Sequence, residues 1–264
     1  MSKPGVSVIM SVYNTTLQHL AAAIESILKQ TYRDFEFVIV DDGSDAQTAQ
    51  ILEHYTKQDK HIMLIHNTHN LGLTKSLNKA IKYAHGNYIA RMDADDISLP
   101  YRLQRQLKFL KLGQFDLVGA RATHINERGH KSGTTSPTPQ GTMRSALIRG
   151  NFFVHGALFC TRQVFNERYN EQFIFAQDYE FLLRLAAKGY RLGFDNTPLL
   201  YYRLGSNTLS QQRAKQQELF ALKARWLAIS RYGYGYRYFP YLARAAAAWA
   251  LPLKLKRILL PAAT

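Results

Sequence analysis

Four apolar runs alternate with stretches whose apolar residues return at helical spacing, and this alternation limits the possible folds more than any other feature. The runs are Val6 to Val12, Phe35 to Val40, Ile62 to Ile65 and Asn87 to Met92. They lack the polar–apolar alternation of a half-exposed strand, so each reads as a strand buried on both faces. Between them Leu17, Leu20, Ile24, Ile27 and Leu28 form one helical stripe, Ile51, Leu52 and Tyr55 a second, and Leu73, Leu77, Ile81 and Ala84 a third. Thr15 or Thr16 and Asp45 stand where N-caps belong, and Gly86 where the third helix should end. A βαβαβαβ order dictates a parallel sheet with right-handed crossovers.

Ligands of such a sheet bind in the crevice at the carboxyl ends of the strands. Each run here is followed by polar groups: Ser11-Val12-Tyr13-Asn14, Asp41-Asp42-Gly43-Ser44, Asn67 to Gly72, and Asp93-Ala94-Asp95-Asp96. They should converge on one site. Asp93 and Asp95 share a side of an extended chain. Two carboxylates so placed repel unless a cation lies between them, and Mg²⁺ and Mn²⁺ take carboxylate and phosphate oxygens. Asp-x-Asp at that position therefore points to a nucleotide with a diphosphate leaving group. Asp96 or Ser98 is left to cap the helix starting near Leu99. Asp42 can accept from a base or ribose, while Asp41 should face the other way. Asn70-Leu71-Gly72 offers backbone amides, with Lys75 and Asn78 beside them, at a helix start suited to phosphate; a plain loop accounts for Lys75 and Asn78 nearly as well.

The chain has 264 residues, enough for one large α/β domain with an appendage. Cys160 is the only cysteine, so no internal disulfide forms and a reducing, cytoplasmic setting is expected. Residues 1–5 lead straight into a strand, without the pattern of a secretory signal. The net charge of +15 is uneven: residues 211–264 hold ten Lys/Arg against the single Glu218. That tail also carries Phe220, Trp226, Tyr232, Tyr234, Tyr236, Tyr238, Phe239, Tyr241 and Trp249. Aromatic and basic residues together suit an anionic lipid surface, and they also suit stacking on single-stranded bases. A helical tail packed on the core with a solvated basic face explains them equally. No nucleic-acid partner is expected. The longest apolar stretch, Ala245 to Leu253, is too short to span a bilayer, so any membrane contact is peripheral.

Residues 1–96 read as a nucleotide-binding half and 97–210 as an acceptor half. In the latter, Leu103 to Leu110 suits a helix, Asp116 to Ala120 a strand, and Asn126 to Gly129 a hairpin turn. Thr134 to Gly141 is loop-like in composition. Gly156 to Thr161 reads as a strand, Gln177 to Lys188 as a helix ended by Gly189, and Leu192 to Asp195 and Leu199 to Arg203 as two short strands. Asp178, in the first turn of its helix, is stabilised as an anion, which serves a cap or a general base; taken alone the cap is favoured. His155 reads as structural more readily than catalytic. Arg203 can reach a diphosphate or remain a surface charge.

Ser7 to Asn14, Phe37 to Ser44, Asn70-Leu71-Gly72, Arg91-Met92-Asp93-Ala94-Asp95-Asp96 and Gln177-Asp178-Tyr179-Glu180 occur in that order. On these motifs, over about residues 5 to 210, the chain is similar to a family 2 glycosyltransferase of the GT-A fold, a Rossmann-like, mostly parallel sheet flanked by helices. The resemblance implies an inverting transferase using a nucleotide-diphosphate sugar, a UDP-sugar first, and Mn²⁺ or Mg²⁺. It implies Asp178 as catalytic base, Asp42 at the base or ribose, and Asp93 and Asp95 at the nucleotide and metal. Val12, Tyr13, Asn14, Asn70, Gly72, Lys75, Arg91 and Arg203 complete the nucleotide side. A glycan or lipid-linked acceptor is expected, on the inner face of a membrane reached through residues 211–264.

Two departures narrow this. Processive relatives carry Gln-x-x-Arg-Trp, whereas Arg225-Trp226 follows Leu222, so single addition is expected. Many relatives place a His after the pair matching Tyr202-Arg203; Leu204-Gly205-Ser206-Asn207 stands here. Rival classes fare worse. A dinucleotide-dependent dehydrogenase needs glycines that Ser11 to Thr16 lacks, and a nucleic-acid module gives no reason for a carboxylate-lined crevice. A nucleotide-sugar binder without catalysis differs only in whether Asp178 works.

Overall fold

The strands β1 (Val6–Val12), β2 (Phe35–Asp41), β3 (Ile62–His66) and β4 (Tyr88–Met92) lie in the order β3-β2-β1-β4, all parallel, as their unbroken apolar character requires. The computed structural model describes residues 3–204 and 214–251. Helices α1 (Leu17–Leu28), α2 (Ala46–Gln58) and α3 (Leu73–Tyr83) make the crossovers. The Asp45 side chain caps α2 by accepting from Thr48 N at 2.8 Å. Thr16 is the N-cap of α1 without a side-chain hydrogen bond. Gly86 does not end α3, whose last residue is Tyr83. Its amide donates to Ser7 Oγ at 2.7 Å, and a Cβ there would lie 2.5 Å from Ser7 N. Close backbone approach, not a helix cap, is what needs glycine at 86.

After β4 come β5 (Ile97–Ser98), α4 (Arg102–Leu112), β6 (Leu117–Ile125), β7 (Lys131–Thr134), α5 (Met143–Arg149), β8 (Phe159–Thr161), α6 (Gln177–Ala187) and β9 (Leu192–Arg203). They extend the sheet as β4-β8-β6-β9-β5, with β7 paired to β6 across the Asn126–Gly129 turn. β8 runs antiparallel to both β4 and β6, so the sheet is mixed, though its first half is parallel. Three expectations change. The stretch from Gly156 is strand only from Phe159, because residues 155–157 form a 3-10 turn. The two strands expected over 192–203 are one, with Asn196 and Thr197 bulging between the partners of Ala120 and Arg121. Neither Asp96 nor Ser98 caps α4, which begins at Arg102 behind Tyr101; Asp96 Oδ1 instead accepts from Arg203 N at 2.9 Å.

Two apolar clusters fill the two faces of the sheet, one under α1 and α4, the other under α3, α5 and α6. The second takes in α7 (Ala214–Ser230), whose Ala224, Ala228 and Ile229 are buried with Phe181 and Leu182. Past it, Tyr232 donates to Glu180 Oε1 at 2.7 Å and Tyr234 is buried. α8 (Phe239–Ala250) packs on α7. The tail is thus helical, as its composition implied, and one face of it belongs to the core. Its other side exposes Leu219, Trp226, Tyr236, Phe239, Tyr241 and Trp249. Among the described residues no helix is long and apolar enough to cross a membrane. Gly205, Ser206 and Asn207 lie outside the described residues, as do Lys254, Lys256 and Arg257.

Candidate active site

From β1 the chain steps outward to β2 and β3, then returns to place β4 on the other side of β1. The carboxyl ends of β1 and β4 therefore flank the switch point, where a crevice must open. A cleft of about 1000 Å³ lies there. The β1 end contributes Tyr13 and Asn14, the β4 end Arg91, Asp93 and Asp95, the start of α6 Asp178, and the end of β9 Tyr202 and Arg203. Most of the expected residues do meet.

On one side of the cleft stands the acidic group. Arg91 is buried and pairs with the Asp93 carboxylate. Burial works against the guanidinium charge, but Asp93 more than offsets it and raises the Arg91 pKa. No other side chain among the described residues hydrogen-bonds the Asp95 carboxylate, and burial with the neighbouring Asp93 charge pushes its pKa up to about 6. Asp96 lies behind, 1% exposed, with Oδ2 buried and unpartnered. Burial, then Asp93 and Asp95, holds its pKa well above the usual carboxylate range. A Cβ on Gly156 would lie 2.9 Å from both Asp93 Oδ2 and Asp96 Oδ2, so only glycine leaves that space open. Arg203 donates from Nε to Asp95 O at 2.8 Å and from Nη1 to the carbonyls of Asn126 and Glu127, each at 3.0 Å. It fastens the acidic loop to the β6–β7 turn while still lining the cleft.

Asp178 lines the same cleft, near enough to Arg91 for that cation to act on its charge. The residue before α6, Ala176, takes φ +50°, a strained value for a side chain with Cβ. Ala176 itself offers no capping side chain, and the Asp178 carboxylate lines the cleft while accepting from first-turn backbone amides, Tyr179 among them. Asn151 Nδ2 donates to Asp178 Oδ2 at 2.8 Å, and Asn151 Oδ1 accepts from Phe153 N at 3.1 Å, which fixes the orientation of the amide. Burial raises the Asp178 pKa, against the stabilisation that its place in the first helical turn suggested. Glu180 is wholly buried against Arg184 and Tyr232, away from the cleft. His155 lines the cleft, bonded through Nε2 to the Tyr169 hydroxyl at 2.9 Å, and burial, then Arg91, keeps its pKa well below normal.

The end of β2 meets that of β1, Asn14 N donating to Ser44 Oγ at 3.3 Å, but Asp42 and the residues from Asn67 to Gly72 do not line the cleft. Asp42 is 1% exposed, and its carboxylate accepts from Asn67 Nδ2 at 2.7 Å, Leu71 N at 2.8 Å and Gly72 N at 2.9 Å. Protein donors stand where a base or ribose was expected, and the amides offered to phosphate at Leu71 and Gly72 are taken by Asp42. Asn70 and Lys75 are exposed, and neither they nor Asp42 and Gly72 line the cleft; Leu73 does. Val12 is fully buried, its carbonyl accepting from Asp42 N at 2.8 Å. The reason is spacing: β2 and β3 lie one and two strands from the switch point, each step ~4.8 Å. Asn14 takes φ +46° and its Oδ1 accepts from Asp45 N at 2.8 Å, joining the β1 end to α2. Asn151, Phe152 and Gln217 line the cleft and were not foreseen. The only sign of Asn151 is an isolated amide between Gly150 and two phenylalanines, and Gln217 enters from a helix assigned to the tail.

A mixed sheet with an acidic loop at this switch point defines a GT-A glycosyltransferase. The chain superposes on Staphylococcus aureus TarS residues 1–349, solved with UDP, at a TM-score of 0.70 and 19% identity, covering 97% of this chain and 78% of that one. It superposes on the mannosyltransferase PcManGT of Pyrobaculum calidifontis, solved with GDP-Man and Mn²⁺, at a TM-score of 0.65 and 18% identity, covering 98% and 79%. In sequence it is 35% identical over 234 residues to an uncharacterized glycosyltransferase of Methanocaldococcus jannaschii, covering 86% of this chain and 81% of that protein. It is 32% identical over 204 residues to the Escherichia coli O-antigen biosynthesis glycosyltransferase WbnJ, covering 75% and 79%. The family described as glycosyl transferase family 2 matches residues 7–170, and the chain belongs to that family.

Proposed function

We propose that the chain transfers a hexosyl or N-acetylhexosaminyl group from a nucleotide-diphosphate sugar to a hydroxyl of a glycan or lipid-linked acceptor, one sugar at a time and with inversion, Asp178 acting as general base. One observation carries this reading. The same cleft is lined by a carboxylate steadied by a neutral amide, Asp178, and by one that no other side chain among the described residues hydrogen-bonds, Asp95, beside a buried guanidinium. Structural neighbours solved with UDP, UDP-GlcNAc or GDP-Man and Mn²⁺ support a nucleotide-sugar donor, and a UDP-sugar is the first candidate.

Tyr13 and Asn14 take the nucleoside, and Arg91 and Arg203 lie beside the diphosphate as fixed positive charges. Asp42, with Val12, Asn70, Gly72 and Lys75 around it, shapes the neighbouring wall from behind. The residues present fit a divalent cation: the Asp95 and Asp93 carboxylates both line the cleft, burial beside Asp93 raises the Asp95 pKa, a penalty that a cation would relieve, and Gly156 leaves the space beside Asp93 and the buried Asp96 Oδ2 open. Held by Asp95 and Asp93, Mn²⁺ or Mg²⁺ supplies charge neutralisation for a departing diphosphate. In the same cleft Asp178, aligned by Asn151, accepts the proton of the acceptor hydroxyl as that oxygen bonds to the anomeric carbon. The walls hold the two reactants in line.

The exposed aromatics of α7 and α8, with the exposed Arg231, Arg237 and Arg244 among them, support peripheral binding to an anionic membrane, where a lipid-linked acceptor resides. Incubation with a panel of nucleotide sugars, with Mn²⁺ or with EDTA, tests the reading. Release of nucleoside diphosphate from one donor, suppressed by EDTA, is expected; no release from any donor contradicts it.

A further inference from the structure

The wall carrying Asp178 bears an aromatic surface that the proposed chemistry leaves unused. Phe152 follows Asn151 directly and is half-buried, so part of its ring faces the cleft. The rest is locked from behind: its centroid lies 4.8 Å from that of Phe153 and 5.4 Å from that of Phe194, the latter pair edge to face. The chain makes room for this stack at Gly119, where a Cβ would lie 2.3 Å from Phe153 Cδ1. An immobile ring standing open beside the base differs from a core phenylalanine, which would turn all its faces inward. Gln217, at the start of α7, lines the same cleft half-buried, and its amide has no hydrogen-bond partner among the described residues.

An aromatic plane and a free amide lining one cleft match one kind of molecule, a pyranose, whose ring C–H groups form an apolar face and whose hydroxyls form a polar rim. A polypeptide hydroxyl or a lipid phosphate offers no such face. We infer that Phe152 and Gln217 form the acceptor subsite and that the acceptor is a pyranose sugar, its C–H face on Phe152, a rim hydroxyl on Gln217, and its reacting hydroxyl turned to Asp178. This rests on the glycosyl-transfer reading and names its acceptor class. Asn151 links the two parts, since the backbone amide that follows Phe152 orients the side chain that steadies the base.

Saturation-transfer NMR with methyl β-glucoside, methyl β-galactoside and methyl β-N-acetylglucosaminide, in the presence of UDP and Mn²⁺, tests the inference. The wild type should saturate the ring protons of at least one glycoside. Phe152→Leu should weaken that binding about fivefold, the worth of an aromatic stack, Phe152→Tyr should retain it, and Gln217→Ala should weaken it. UDP affinity by calorimetry should be unchanged in all three, which also reports that they fold. Wild-type protein that binds UDP but no glycoside overturns the subsite and leaves the transferase reading standing. Protein that binds neither UDP nor any glycoside overturns both. Equal glycoside binding by wild type and Phe152→Leu, or equal loss in the Leu and Tyr variants, also overturns it.

Discussion

At the scale of single residues, the account turns on two carboxylates whose surroundings differ. Asp178→Asn keeps the shape and the bond from Asn151 but removes the proton acceptor. Turnover should drop by at least ~100-fold, the low end of what general-base catalysis contributes, with donor affinity by calorimetry barely changed; normal turnover would remove Asp178 from its role. Glu180 cannot replace it, being buried against Arg184. Because burial raises the Asp178 pKa, the ionised base is lost on acidification at a higher pH than for an ordinary carboxylate, and the acid limb of the rate profile should lie correspondingly high. Asp95 carries a stability consequence. Its pKa in the fold is about 6 against an ordinary 3.8. A carboxyl so raised contributes stability that is complete below the ordinary value and lost as pH rises through the raised one. A cation that neutralises the loop should restore that loss. The rise in Tm on adding Mn²⁺ should then be larger near pH ~8 than near pH ~5, and an equal or smaller rise at the higher pH contradicts the placement of the charge.

At the scale of elements, β1 to β4 and the three crossover helices are legible because each was signalled by its own period, although of the expected caps only Asp45 caps its helix through its side chain. The residues after β1 and β4 meet because the sheet reverses growth between those two strands. Asp42 and the residues from Asn67 to Gly72 do not line the cleft, and a linear sequence does not state strand order. Asp42 shows the result: with three protein donors it ties the β3–α3 loop to the sheet. Asp42→Ala leaves the part-exposed amides of Leu71 and Gly72 without their acceptor, while Asn67 keeps Ser76, and should cost about 2 kcal/mol in urea unfolding, while UDP affinity of the folded fraction stays near wild type. A loss below ~1 kcal/mol with UDP affinity abolished would return Asp42 to the nucleotide. The second half was less legible because its contacts are long-range. Ile97–Ser98 is too short to show a period, and a strand with a two-residue bulge reads as two. Asn151 gained its partner 27 positions away, with no spacing rule to predict it.

At the scale of the whole molecule, the +15 charge and the late aromatics were visible in composition, but which of them face outward was not. The fold divides them: Ala224, Ala228 and Tyr234 join the core, while Trp226, Tyr236 and Trp249 remain exposed with Arg231 and Arg244. Deleting the tail would strip the core along with the surface, so point changes isolate the surface. Arg231→Gln with Arg244→Gln removes two charges worth about 1 kcal/mol each at an anionic leaflet. Partition to phosphatidylserine-containing vesicles at low salt should fall about 30-fold, with Tm unchanged; unaltered partition removes these arginines from any membrane contact. Single displacement in a cleft lined by both Asp178 and the acidic loop is the central claim. The anomeric configuration of the product formed from an α-linked nucleotide sugar tests it most directly. Proton NMR of the fresh product should show the β anomer, and a product that retains the α configuration would contradict the account.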